Sequence, residues 1–483
     1  MSESPLRVLF VTSEAYPLVK TGGLGDVSYA LPNALRQLSI DVRLLLPGYP
    51  AILEQLSLIE VHENLEWASL QQPFRLLAGT MPGGITPVYV IECPDLYERD
   101  GNPYQDEHGK DWSDNALRFG LLSKVAAQFG QHDFLFKPDI IHCNDWQAGL
   151  VPAFLKFSPH SHAKTIMSVH NMAYQGIFGK KVIEHLALPA ESFSVDGLEY
   201  YGKVSFLKAG LVYADWLTTV SPNYAEDIQT KTYGCGLEGV LKKRNNQLTG
   251  LLNGIDTTTW NPQTDPYLKH HYSSHNLANK AFNTKALRTK LKLALAKKAP
   301  LIGMITRITE QKGIDLIIPL IPQIIKAGAQ IVILGSGDKA LESQLQELAE
   351  NHSKNISVNF GYDEELAHQI EAGADIFLMP SQFEPCGLNQ MYSMRYGTIP
   401  IVRRTGGLAD TVVNFMPDTL EDKTATGFVF EQEDSEELWF CIQRALQIFR
   451  NKTTWQQLQI NGMKRDSSWK TSAKAYISLY SQL

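Results

Sequence analysis

The residues best suited to chemistry lie in the second half of the chain. Residues 303–316 read GMITRITEQKGIDL. An apolar run ends near Thr306, Arg307 occupies the loop that follows, and Lys312 is expected in the first turn of a helix. Arginine offers a planar fork for two phosphate oxygens and lysine a mobile point charge. The spacing therefore fits a diphosphate site, although any one such pair also reads as two surface cations. Residues 379–388, MPSQFEPCGL, place Glu384 and Gly387 after another buried run. Glu384 is suited to accept hydrogen bonds from sugar hydroxyls, or simply to cap the next helix. Cys386 reads as a small buried apolar residue, because no neighbour in sequence would lower its pKa. Residues 168–174, SVHNMAY, end a strand in His170 and Asn171, where a histidine serves most simply as a structural hydrogen-bonder.

Other chemistries lack their residues. No His/Cys cluster has metal-ligand spacing, so no metal is expected. The Gly-Lys-Ser/Thr end of a P-loop and the GxSxG elbow are both missing. With 44 Lys and Arg against 51 Asp and Glu, the formal charge is -7, which disfavours nucleic acid and anionic membrane as partners. A neutral polymer is compatible with that surface. The five cysteines, Cys93, Cys143, Cys235, Cys386 and Cys441, form no CxxC pair. Their odd number, and an amino terminus without a basic or long apolar leader, fit a reducing cytoplasm.

The elements that must position these residues are strands alternating with helices. Apolar, β-branched runs at 6–12, 42–46, 88–91, 140–142, 165–170 and 217–220 read as buried parallel strands, with a helix over 116–129. A second series follows at 301–305, 331–334, 357–360, 376–379, 399–402 and 427–430. A polar, His-rich stretch, 261–283, separates the two. Such alternation predicts an α/β chain of two doubly wound, Rossmann-like domains with a cleft between them. A near-repeat supports this: KTGGLGDV at 20–27 and RTGGLADTV at 404–412 each follow a strand-like run. Both are candidates for helix amino termini that hold an anion, or for tight turns and no more.

Seven segments in order resemble the bacterial glycogen synthase and plant starch synthase family. They are KTGGLGDV at 20–27, HNMAYQG at 170–176, YGCGLEGVL at 233–241, LNGID at 252–256, TRITEQKGIDL at 306–316, FEPCGLNQMY at 383–392 and RRTGGLADTV at 403–412. The polar stretch puts the domain boundary just before it, near 249–253, which gives domains over 1–249 and 250–462. The resemblance implies a GT-B fold with the acceptor on the first and the nucleotide sugar on the second, and a terminal helix, 463–483, returning to the first domain. It also implies transfer of glucose from ADP-glucose, a co-substrate with no further cofactor, to the non-reducing end of an α-1,4-glucan with retention. Residue by residue, Lys20, Gly22 and Gly23 match the loop over the donor phosphates, and Arg307 and Lys312 the pair that neutralises them. Glu384, Cys386, Gly387 and Leu388 match the segment around the glucose hydroxyls. Thr405, Gly406 and Gly407 match a backbone cradle for the distal phosphate. His170 matches the residue beside the reacting sugar and Asn253 a polar residue of the cleft. Asp145 and Tyr97 fall on the acceptor side, and Asp26 and Asn171 join the substrate-binding set within their motifs. Asn144 and Gln147 depart from the histidines of many relatives. The rivals are a GT-B transferase using another sugar or a UDP donor, and a non-catalytic binding protein. The intact Lys20, His170, Arg307, Lys312 and Glu384 argue against the latter.

Overall fold

The computed structural model describes residues 5–131, 136–296 and 298–483. Packing groups the chain up to Leu252 with Trp469–Leu483, and Asn253–Ser468 separately. The first unit contains β1 (Arg7–Val11), β2 (Asp41–Pro47), β3 (Ile59–Leu65), β4 (Phe74–Thr80), β5 (Pro87–Glu92), β6 (Ile140–Asn144) and β7 (Lys164–Val169). Three short strands follow, β8 (Ile177–Phe178), β9 (Glu199–Tyr200) and β10 (Lys203–Ser205), and then β11 (Trp216–Thr219) and β12 (Leu248–Gly250). Among the described residues, nine of these form one sheet in the order β12-β11-β7-β6-β1-β2-β5-β4-β3, and β8-β10-β9 form a small second sheet.

The strands at the centre of the large sheet pair in parallel. Val8, Leu9, Phe10 and Val11 are all fully buried. Burial on both faces is why such strands read as unbroken apolar runs. By contrast β3 and β4 pair antiparallel at the edge. The chain leaves β1 for β2 on one side, while β6 pairs on the other. The carboxyl ends of β1 and β6 therefore flank a topological switch point, where open α/β sheets bind ligands. Helix Gly23–Gln37 and the terminal helix Trp469–Tyr480 pack together over this sheet, burying Val27, Leu31, Leu35, Trp469, Tyr476 and Tyr480 with Val8 and Phe10. Met463, where the return segment was expected to begin, lies instead in helix Lys452–Lys464 of the second unit.

The second unit has six parallel strands: β13 (Leu301–Ile305), β14 (Gln330–Gly335), β15 (Ile356–Phe360), β16 (Ile376–Met379), β17 (Ile399–Arg403) and β18 (Phe428–Phe430). Their order, β15-β14-β13-β16-β17-β18, is the 3-2-1-4-5-6 order of the Rossmann fold, with its switch point between β13 and β16. Carboxylates open the flanking helices. Asp363 and Asp434 accept main-chain N–H groups at the starts of Glu364–Gly373 and Ser435–Phe449. The polar stretch 261–283 has no apolar period because a buried hydrogen-bond network anchors it. Asp265 accepts from the Tyr396 hydroxyl at 2.6 Å and lies 2.8 Å from Nδ1 of His368, whose ring stacks on Trp260.

Candidate active site

In the second unit, three loops meet at the carboxyl ends of β13, β16 and β17. The first ends in a short 3-10 turn, Glu310–Lys312, rather than the helix expected at Lys312. Gly313 then takes φ 72, and a Cβ there would lie 2.3 Å from the carbonyl oxygen of Pro380. Glycine thus lets the loop after β13 press against the loop after β16. Further bonds fasten the two. Gln382 N–H donates to Gln311 O at 2.9 Å and Asn389 Nδ2 to Ile305 O at 2.7 Å, while Arg307 Nη2 donates to Gln311 Oε1 at 3.2 Å within the first loop. The consequence is a 2.5 Å ion pair between Lys312 Nζ and Glu384 Oε2, which also accepts from Ser381 Oγ at 3.1 Å. Arg307 is exposed beside it.

The third loop closes on the same backbone. A Cβ on Gly406 would lie 2.2 Å from Glu384 O, and one on Gly407 2.2 Å from Cys386 O. The N–H of Gly407 donates to Glu384 O and Pro385 O at 3.1 Å each, so it points inward and not toward a ligand. Gly387 turns with φ 70 and leads through Leu388 into helix Asn389–Arg395. Thr405 precedes helix Gly406–Thr411 as its cap residue, without a side-chain cap bond. The Cys386 thiol is buried, and burial pushes it up to about 12 although the N–H of Asn253 donates to it. Asn253 brings a second feature: its Oδ1 is buried without a hydrogen-bond partner, an acceptor left for a ligand.

In the first unit, the residues gather at the ends of β1, β6 and β7. Asp145 follows β6 with φ 52, a left-handed backbone that is costly outside glycine. That turn brings its carboxylate back to β7, where Oδ1 accepts the N–H of His170 at 2.7 Å. Burial raises the Asp145 carboxyl to about 7, against the N–H groups of His170 and Asn171, which lower it. Burial holds the His170 imidazole down at about 4, so it is neutral at physiological pH. The Asn171 side chain turns back to accept Ala173 N–H at 3.0 Å. Lys20 pairs with Asp26 at 2.8 Å at the start of helix Gly23–Gln37, and the space beside Gly22 and Gly23 is open. Tyr97 is different. It is 1% exposed, and its hydroxyl donates to Arg118 O at 2.6 Å, so its polar atom is committed inside the unit.

A family model described as the starch synthase catalytic domain matches residues 7–243, and one described as glycosyl transferases group 1 matches 287–455. The glycogen synthase of Nitrosomonas eutropha is 50% identical, across 100% of this chain and 98% of that one. This chain belongs to the glycogen synthase family. Other members agree: glycogen synthase from Nitrosomonas europaea is 50% identical over 100% of this chain and 99% of its own, and glycogen synthase 1 from Methylococcus capsulatus 47% over 98% and 96%. The catalytic domain of starch synthase IV from Arabidopsis thaliana, solved with ADP and acarbose bound, superposes with a TM-score of 0.87 at 32% identity, covering 99% of each chain. Sucrose-phosphate synthase from Thermosynechococcus elongatus shares the fold, with a TM-score of 0.59 at 17% identity over 99% and 98%. Like its family, the chain is a glycosyltransferase of GT-B fold. No helix among the described residues is long and apolar enough to cross a membrane.

Two residues that bear on this family's motifs were not singled out from sequence. Glu14, just past β1, is buried and accepts from Thr21 N–H at 2.5 Å, Thr21 Oγ1 at 2.8 Å and the Tyr104 hydroxyl at 2.5 Å. It therefore fixes the loop that carries Lys20. Asn144, noted only as a departure from relatives, donates Nδ2 to Val11 O and His142 O and turns Oδ1 to His170. A lone Glu before a Gly-rich loop carries no spacing signal, whereas Asn144 stands two residues after the strand histidine His142 and directly before Asp145.

Proposed function

We propose that this glycosyltransferase lengthens an α-1,4-glucan, moving glucose from ADP-glucose to the non-reducing end with retention. The observation that carries the reading is the Lys312–Glu384 ion pair on the two loops that flank the switch point of a Rossmann-ordered sheet, with Arg307 exposed beside it. A diphosphate leaving group placed there meets two cations. Lys312 is shared: Glu384 holds it in the free protein, and the departing phosphate draws on the same charge as negative charge develops. Glu384, braced by Ser381, then keeps its other oxygen for sugar hydroxyls. The unpartnered Oδ1 of Asn253 offers a further acceptor.

In this reading, His170 and Asp145 serve the sugar and acceptor side, with Lys20, Gly22, Gly23, Asp26 and Asn171 around them. Thr405, Gly406, Cys386, Gly387 and Leu388 shape the donor side. The acceptor 4-hydroxyl attacks from the face that the diphosphate leaves, and a diphosphate oxygen takes its proton, so neither a protein nucleophile nor a metal is called on. The ADP bound to the Arabidopsis starch synthase supports an adenine nucleotide. Five unpaired cysteines support a reducing, cytoplasmic setting. The test is a donor comparison. With glycogen as acceptor, ADP-glucose is expected to release nucleoside diphosphate far faster than UDP-glucose. Equal rates, or faster release from UDP-glucose, would overturn the donor assignment.

A further inference from the structure

Strands β9 and β10 are joined by only two residues, Tyr201 and Gly202, because Tyr200 pairs directly with Lys203. Both turn residues have positive φ, 47 for Tyr201 and 78 for Gly202. This is the type I′ geometry, whose first position favours Asn, Asp or Gly and disfavours a bulky side chain. Tyr201 therefore occupies a costly backbone state, and its side chain returns little packing, since the residue is 80% exposed. Such a violation of local preference marks a position kept for something other than stability.

The surroundings hold this tyrosine in place. The Tyr200 ring meets the Tyr201 ring edge-on, with centroids 4.8 Å apart at 89°. Tyr200 is itself pinned, its hydroxyl donating to Cys235 O at 2.7 Å. The loop around Cys235 is shaped to that hydroxyl: a Cβ on Gly236 would come within 2.7 Å of it. Gly202 N–H donates to Glu199 Oε1 at 2.6 Å, fastening the turn. The result is a buttressed aromatic ring in water at a hairpin tip. The Cys235 carbonyl also accepts from Gln175 Nε2 at 2.8 Å, and Gln175 belongs to the 170–176 segment that begins with His170.

We infer that Tyr201 is a stacking platform for an α-glucan chain, a contact with acceptor polymer separate from the reacting sugar. The ring presents a flat apolar face with a polar tip, which suits the C–H face of a pyranose with its hydroxyls around it. The tie through Cys235 to the His170 segment joins this platform to the acceptor side. The inference rests on the glucan-elongating reading for the choice of ligand.

The experiment uses the full chain and two variants, Tyr201→Asn and Tyr201→Trp. Glycogen binding is measured without donor by electrophoresis through glycogen-containing gels, and rates are measured with glycogen and with maltotriose. Asparagine suits the turn, so Tyr201→Asn should keep or raise the melting temperature while weakening glycogen binding by about tenfold, the scale of losing one anchoring aromatic. Its kcat on maltotriose should match the wild type, and Tyr201→Trp should retain binding. Stability and affinity moving in opposite directions cannot come from misfolding. Unchanged glycogen binding in Tyr201→Asn, an equal loss of kcat on maltotriose, or a change in oligomeric state in place of affinity would each overturn the platform. If wild type binds glycogen but transfers no glucose, the proposed function fails while the platform stands.

Discussion

Oδ1 of Asn144 lies 3.0 Å from Nε2 of His170, while Nδ2 of the same amide reaches Val11 O at 3.1 Å and His142 O at 3.3 Å. Two carbonyls can only accept, so the amide has one possible orientation, and the ring nitrogen facing Oδ1 must carry the proton. Burial keeps the ring neutral, and the amide then selects the tautomer with the proton on Nε2 and Nδ1 as the acceptor. Asn144→Asp would replace that neutral acceptor by a carboxylate and favour the imidazolium. The kcat of this variant should begin to fall at a higher pH on the acid side than that of the wild type. Superimposable pH profiles would show that Asn144 does not set the state of His170.

The neighbouring groups give stability terms of opposite sign. His170 is lowered from 6.5 to about 4, so between these values the unfolded chain binds more protons, and its contribution is lost as pH falls from 6.5 toward 4. Asp145 is raised from 3.8 to about 7, so there the native state binds more protons, and stability is lost as pH rises toward 7. Urea unfolding across pH 4.5–7 should therefore show His170→Gln gaining on the wild type toward low pH and Asp145→Asn gaining toward high pH. Parallel curves for all three proteins would contradict both assignments.

Lys312 and Glu384 are largely out of solvent, with side chains 16% and 11% exposed. Removing one partner leaves the other charge poorly compensated. Lys312→Ala should cost about 1.5–3 kcal/mol of stability in addition to lowering kcat. The double variant Lys312→Met/Glu384→Gln should recover most of that stability and none of the activity. A Lys312→Ala protein as stable as wild type would mean that the pair holds nothing together.

These two residues also show how far sequence could go. Each was legible singly, as a cation or a carboxylate after a strand. Their contact was not, because 72 positions separate them and only the adjacency of β13 and β16 joins them. Most strands of both sheets could be read because parallel strands buried on two faces are apolar throughout. The β3 strand could not: it is mostly exposed and carries Glu60, His62 and Glu63. Lys312 ends a 3-10 turn just short of the helix that starts at Ile314, because Gly313 with φ 72 breaks the run between them. Nor could the bond from the Tyr97 hydroxyl to Arg118 O be read, since it joins helix Pro94–Tyr97 to helix Asn115–Gln131 across a loop. Asp265 anchors a stretch with no periodicity, and hydrogen bonding leaves no period to find.

Cys386 lies against the donor loops, yet its thiol, at about 12, forms almost no thiolate at neutral pH. Cys386→Ala and Cys386→Ser should retain most of the wild-type kcat, and the native protein should resist alkylation at this position by iodoacetamide. Peptide mapping after alkylation and steady-state rates check both points. Rapid labelling of Cys386, or loss of turnover in both folded variants, would return the thiol to the chemistry.

The configuration of the first bond made tests the proposed transfer most directly. The wild type and Arg307→Ala are incubated with ADP-glucose and maltotriose, and the new anomeric proton is observed by NMR as ADP accumulates. The wild type should form one α-1,4 linkage for each ADP released, and a folded Arg307→Ala should show a kcat lower by about tenfold or more, the loss of one charge-assisted contact to the leaving group. A β-linked first product, or an Arg307→Ala variant with wild-type turnover, would contradict it.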